Sequence, residues 1–254
     1  MIAIDLSGKT ALVTGAAGQL GRVMARTLAQ SGADVAVHYL SNAAMVEALR
    51  DEITDMGRRA LTVQADVTDF ASVLAMRERL AESLGAPDIV VANAVSQYAW
   101  TTILEQEPAD FQDQFNTCVM QNVYLAKAFL PTMMARGWGR FIGVNTECSA
   151  LCNPASGAYA SAKRGMDGIY RVLAKEAGGS GVTVNQVAPG WTISDRDRDT
   201  DSEAAARYSA NVPMRRRGTD QEIANAVLFF ASDLSSFITG VYLPVCGGAV
   251  MPGI

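Results

Sequence analysis

The sequence predicts an α/β fold, doubly wound about a seven-stranded parallel sheet with helices on both faces, and three observations carry that prediction. Short β-branched runs alternate with longer stretches of helical period, the pattern of parallel strands joined by crossover helices. A glycine-rich turn, TGAAGQLG at 14–21, follows the first run and precedes an amphipathic stretch. The 254 residues are 49% hydrophobic, enough for one large core over 1–254, and no linker or internal repeat divides them.

Runs near 10–14, 34–39, 60–65, 88–92, 140–145, 182–188 and 241–245 supply the strands. Between the first two, Leu20, Met24, Thr27, Leu28 and Ser31 share one helix face, and Gly32 supplies the stop. Phe70, Val73, Leu74, Leu80 and Leu84 mark a second such helix, ended by Gly85. Thr219 followed by Glu222 reads as a capping box opening a helix through Ala231. The charged stretch 194–220 follows Pro189-Gly190 and a strand end, so it is expected to be a lid over a site rather than a plain surface insert.

Composition removes several function classes. A formal charge of -5 argues against a nucleic-acid partner. One histidine, His38, cannot build a His-rich zinc site, no metal is expected, and neutral-pH proton transfer must fall to a carboxylate, Lys, Tyr or Cys. Cys118, Cys148, Cys152 and Cys246 have neither CxxC spacing nor disulfide-framework density, so free thiols are expected. No apolar run approaches the roughly 18 residues of a membrane span, and Asp5 and Lys9 interrupt the start of the chain; a soluble, cytoplasmic protein is expected.

The turn between the first strand and helix places Gly15, Gly18 and Gly21 where bare backbone can approach a pyrophosphate, with Gln19 and Leu20 between them. That context predicts a Rossmann-like dinucleotide site. An acid at the end of the second strand would take the ribose hydroxyls of NAD; here DVAVHYLSNA has no carboxylate after the strand until Glu47. With Tyr39 and Ser41 expected at the adenosine end, Asn42 beside them and Arg22 just past the turn, NADP(H) is favoured and NAD(H) remains possible. Arg22 also reads as an ordinary first-turn residue. His38 is expected near the adenosine, not as a catalyst.

Tyr159 and Lys163 are four residues apart and share a face if helical. A free phenol titrates near ~10, and a neighbouring ammonium favours the phenolate, so such a pair can exchange a proton with an alkoxide. The bare spacing is common on amphipathic surfaces. Taken with TGAAGQLG, ADV at 65–67, ANAV at 92–95, MQNVYLAKAF, VNQVAPGWTIS at 184–194 and TGVYLPVCGG at 239–248, however, the chain resembles the short-chain dehydrogenase/reductase family over nearly its whole length.

The resemblance implies that Tyr159 is the general acid/base, that Lys163 holds the nicotinamide ribose and lowers the phenol's pKa, that Asn122 anchors a relay water, and that Thr146 holds the substrate carbonyl oxygen. It implies that Asp66 and Val67 contact adenine, Asn93 the adenosine side, and Thr192, after Pro189 and Gly190, the carboxamide. It also implies a homotetramer, a homodimer being the smaller alternative. Four positions depart from the usual pattern: Gln19 for glycine, Val95 in ANAV, Thr146 for serine, and Cys246 where aspartate is frequent.

The expected activity is NADPH-dependent reversible reduction of a ketone or aldehyde to an alcohol. The alternatives are an NAD-dependent alcohol or sugar dehydrogenase, a 3-oxoacyl-carrier reductase with Arg136 or Lys175 facing its carrier, and a catalytically silent dinucleotide-binding regulator. A cysteine nucleophile at Cys148 or Cys152, beside Glu147, lacks an adjacent base. Gln97, Tyr98 and Trp100 read either as a substrate wall or as an ordinary loop cluster, and Arg215, Arg216 and Arg217 as a solvated run.

Overall fold

The computed structural model of the chain describes residues 4–193, 195 and 202–252. Its seven strands, β1 (Thr10–Val13), β2 (Asp34–Tyr39), β3 (Ala60–Gln64), β4 (Ile89–Ala92), β5 (Gly139–Val144), β6 (Val182–Pro189) and β7 (Tyr242–Val245), form one sheet in the order β3-β2-β1-β4-β5-β6-β7. Every pairing is parallel. Burial on both faces explains why β4 reads IVVA and β1 TALV, with no polar alternation.

Successive side chains along each strand point to opposite faces, and two apolar layers result. Ala11, Val13, Val35 and Val37 pack with Met24, Leu28, Val227 and Phe230 of α1 (Gln19–Gln30) and α9 (Asp220–Ala231), while α2 (Ala43–Asp55) closes that side. Leu12, Ala36 and Val90 face the other layer, against α3 (Phe70–Ser83), α5 (Gln121–Arg136) and α7 (Gly157–Ala177). Gly32 and Gly85 adopt positive φ just past α1 and α3. Thr219 and Glu222 form the reciprocal capping box at the start of α9.

The periodicity did not reveal how α4 (Pro108–Phe115) runs into α5: five residues, Asn116–Met120, form a π-helical turn between them. A short helix, α6 (Cys148–Leu151), follows β5, and α8 (Glu203–Asn211) lies within the expected lid. Of that lid, Ser194 and residues 196–201 lie outside the described residues. Among the described residues, no helix is long and apolar enough to cross a membrane. Because β1 lies between β2 and β4, the strand order reverses there and opens a crevice beyond the strand carboxyl ends, where the glycine turn sits.

Candidate active site

The crevice holds a groove of about 720 Å³ bordered by Gly15, Gly18, Leu20, Gly21, Asp66, Val67 and Asn93. Its floor is bare for steric reasons. Gly15 has φ +64°, and a Cβ there would stand 2.9 Å from the Ala94 Cα; a Cβ on Gly21 would stand 2.3 Å from the Gly15 carbonyl oxygen. Gly18 is the N-cap of α1, so the helix N-terminus faces the groove, as an anion site requires. The residues therefore fit a dinucleotide pyrophosphate.

His38 does more than stand near this groove. Its Nδ1 accepts from the Gly15 N–H at 3.1 Å, which leaves Nε2 to donate to the Ala65 carbonyl at 3.0 Å. Burial holds its pKa down at about 4, so the neutral ring ties the glycine turn to the end of β3. Asn93 braces the same turn by donating from Nδ2 to the Thr14 carbonyl at 2.9 Å.

The residues at and beyond the end of β2 divide between the groove and the opposite layer. His38, Leu40 and Asn42 border the groove, whereas Tyr39 packs against the opposite apolar layer and Ser41 is not in the lining. Asn42 also caps α2. Arg22 is engaged by an ion pair with Asp195 and donates to the Ala17 carbonyl. Gln19 leaves the turn altogether: Nε2 donates to the Ile193 carbonyl and to Asp220, each at 2.9 Å, and Oε1 accepts from the Asp195 N–H at 2.7 Å. The departure from glycine thus straps the turn to the segment after β6.

Beside the groove, and sharing Gln19, Leu20, Asn93 and Val95 with it, lies a cavity of about 270 Å³. Thr146, Tyr159, Lys163, Pro189, Gly190 and Thr192 border it, so three of the four expected catalytic positions and the three from the segment after β6 meet in one place. Thr146 is fixed from both sides: its N–H donates to the Asn145 Oδ1 at 2.8 Å, and its carbonyl accepts from the Tyr242 hydroxyl at 2.7 Å. Its Oγ1 accepts from the Cys148 N–H at 3.2 Å, and its hydroxyl also reaches the Tyr159 phenol.

Burial is the leading influence on both members of the Tyr-Lys pair. Lys163 donates from Nζ to the Val144 carbonyl at 2.6 Å and lies 5.7 Å from the centre of the Tyr159 ring. Burial pushes the Tyr159 phenol above the ordinary tyrosine range, with the Thr146 hydroxyl pulling the other way; Lys163 is itself pushed down by burial. Desolvation outweighs the ammonium because the lysine points at a backbone oxygen, not at the phenol.

Asn122 is not part of the cavity lining. Its Oδ1 accepts from the Tyr170 hydroxyl and its Nδ2 donates to the Cys118 carbonyl, both at 2.7 Å, so its side chain is committed to the core. Cys118, on the π-helical turn, is the residue of that segment within electrostatic reach of both Tyr159 and Lys163. Sequence reasoning also missed Asn145, which donates to the Lys163 carbonyl and to Gln186. Glu147 turns away from the cavity, buried against Trp191 and Tyr208. Cys246, in place of the frequent aspartate, accepts from the Val250 N–H at 3.2 Å within the turn after β7.

Known proteins resemble the chain over nearly its whole length. The family model described as enoyl-(acyl carrier protein) reductase matches residues 15–250. A 3-oxoacyl-(acyl-carrier-protein) reductase of Escherichia coli is 36% identical over 98% of this chain and 100% of its own length, and one from Staphylococcus aureus is 32% identical over 96% and 98%. The solved structure of a 7α-hydroxysteroid dehydrogenase, complexed with NADH and 7-oxo glycochenodeoxycholic acid, superposes with a TM-score of 0.90 at 30% identity, covering 98% of this chain and 96% of the other. The chain belongs to the short-chain dehydrogenase/reductase family and is an NAD(P)-dependent oxidoreductase acting at a CH–OH/C=O pair.

Proposed function

We propose that this short-chain dehydrogenase/reductase reduces a ketone or aldehyde to an alcohol at the expense of NADPH, with Tyr159 as proton donor. The observation that carries the reading is the convergence of Thr146, Tyr159 and Lys163 on one small cavity continuous with the bare glycine turn. A bound nicotinamide supplies or takes hydride at the carbonyl carbon.

The Thr146 hydroxyl, with its oxygen already accepting from Cys148, donates to the carbonyl oxygen and polarises it. Tyr159, kept a neutral phenol by burial, gives its proton to that oxygen as negative charge develops there. A phenol with a raised pKa is a competent donor but a weak base, which supports the reductive direction. Lys163 sets a buried positive charge next to the phenolate that remains. Gly15, Gly18, Gln19, Leu20 and Gly21 hold the pyrophosphate, Asp66 and Val67 the adenine, and Pro189, Gly190 and Thr192 the carboxamide side. Asn122 keeps its relay role by holding the π-helical turn in shape, its side chain bonded to Cys118 and Tyr170.

The groove end formed by Leu40 and Asn42 carries no carboxylate, which favours NADPH. The Arg22–Asp195 ion pair favours the second reading, NADH, because it engages the cation nearest the turn. The described part of the lid, α8, is anchored by Tyr208 to Glu147. The exposed apolar pair Leu234 and Phe237 supports an oligomer, a homotetramer by family analogy, and four free thiols accord with a cytoplasmic setting.

Steady-state rates with NADPH and NADH over a carbonyl panel test the reading, together with Tyr159→Phe. The variant is expected to lose at least ~100-fold in turnover while dinucleotide affinity, read by fluorescence titration, stays within about twofold. Unchanged turnover removes Tyr159 from its role, and dinucleotide binding without turnover of any carbonyl favours a silent regulator.

A further inference from the structure

Resting on that reading, we propose that the carbonyl compound carries a flat apolar ring body, which lies against the side chains of Trp100 and Trp191. The cavity beside Tyr159 has room for the reacting end of a substrate, so the remainder must lie on its rim. That rim is aromatic and rigidly built.

Trp100 is 52% exposed, an unusual state for so large an apolar side chain packed against the tyrosine proposed as acid. Its ring centre lies 5.7 Å from that of Tyr159, and it stacks on Tyr98 at 5.8 Å with 12° between the planes. Tyr98 is in turn fixed to the helix that carries the acid, because its hydroxyl accepts from the Tyr159 N–H at 3.0 Å. The indole therefore keeps a set position relative to the reacting oxygen, through a Tyr98 that is 61 residues away in sequence from Tyr159.

Trp191 borders the cavity itself. Its backbone N–H donates to the Glu147 Oε1 at 3.2 Å and to the Tyr208 hydroxyl at 2.9 Å, and that hydroxyl donates to the Glu147 Oε2 at 3.0 Å. Glu147 is buried, so this small network ties Trp191, α8 and the residue after Thr146 together. The Trp191 ring meets Tyr208 edge-on at 5.5 Å and carries the Arg217 guanidinium 5.4 Å from its centre.

The polar side chains of the cavity argue in the same direction. Asn93 is spent on Thr14, Asn145 on Lys163 and Gln186, Gln19 on Ile193 and Asp220, and Thr192 on the Gly190 carbonyl. Of the described side chains that border the cavity, Thr146 and Tyr159 offer hydroxyls, and Lys163 and Trp191 are the remaining donors. A polyhydroxylated substrate would lose its water for few partners, whereas an apolar ring gives up none on entry. Val95 adds a branched apolar wall at the same edge.

The test compares kcat/KM for the fused-ring ketone 2-tetralone with 2-butanone, fructose and the N-acetylcysteamine thioester of acetoacetate, using the full chain and whichever dinucleotide turns over faster. The ring ketone is expected to exceed each of the others by at least about tenfold, a difference of ~1.4 kcal/mol. Trp100→Ala should cut the ring ketone's kcat/KM about tenfold, chiefly through KM, leave 2-butanone within about threefold, and be rescued largely by Trp100→Phe. Tyr208→Phe, remote from Tyr159, should raise KM for the ring ketone by roughly threefold or more through loosening of Trp191. Preference for fructose or the thioester overturns the ring assignment while leaving the oxidoreductase reading intact, as does an equal loss on both ketones in Trp100→Ala. Dinucleotide binding with no turnover of any of the four overturns the reading on which the proposal rests.

Discussion

The two ends of β5 each bury a cation, and they treat it in opposite ways. Near the amino end, Arg140 is 2% exposed and fully occupied: it donates to the Ser232 and Gly139 carbonyls and, at 2.9 Å, to the Asp233 carboxylate. Its guanidinium lies 4.2 Å from the centre of the Trp138 ring, which also holds the Lys9 ammonium at 3.7 Å. Beyond the carboxyl end, Lys163 is as deeply buried, yet the described contacts of its Nζ are one neutral carbonyl, Val144, and the Met166 sulfur. Burial lowers the pKa of both cations, but only Arg140 has a carboxylate opposing the shift. A buried charge that is paired and saturated fastens structure; one without a counter-ion is a cost to folding, retained where its field is needed.

The comparison breaks most sharply at Lys163. Lys163→Met should lower turnover by at least ~100-fold with no fall in melting temperature, since a methionine of similar length removes an uncompensated charge from the interior. A large loss of stability with activity retained would make Lys163 another staple. Arg140→Met should do the reverse, costing about 2 kcal/mol by denaturant unfolding while kcat stays near wild type. The cost is moderate because the Asp233 side chain left behind is 80% exposed and regains water.

A third buried base sharpens the contrast through pH. His38 is held neutral, with its pKa lowered to about 4 from an ordinary 6.5. The unfolded chain therefore binds more protons than the folded one between those values, so this contribution is complete above pH 6.5 and is lost as pH falls toward 4. The loss amounts to up to about 3 kcal/mol. His38→Gln should flatten that part of the stability profile relative to wild type and weaken dinucleotide binding by loosening Gly15. A variant with the wild-type slope would remove His38 from the account.

Much of this was legible beforehand where the cause is local. Gly32 and Gly85 stop their helices because positive φ is a property of the residue itself, and the Thr219–Glu222 box needs only three intervening bonds of helix. The parallel sheet followed from β-branched runs too uniformly apolar for a half-exposed strand. Other features had no local signature. Nothing in MQNVYLAKAF distinguishes a side chain aimed at the cavity from one bonded to Tyr170, because the π-helical turn before it shifts which residues face inward. Tyr39 faces the layer opposite to its neighbour His38, which borders the groove, since a strand's two faces exchange at each residue.

The sequence by itself determined the layered fold, the bare glycine turn and the shared face of Tyr159 and Lys163, because each depends on spacing within one element. Tertiary structure alone decided that burial, not the neighbouring ammonium, dominates at the phenol, that Gln19 reaches Ile193 across 174 residues, and that Trp100 packs against Tyr159 while Trp191 borders the cavity. Those outcomes depend on desolvation and on loops brought together by separate crossovers, and no spacing along the chain encodes either.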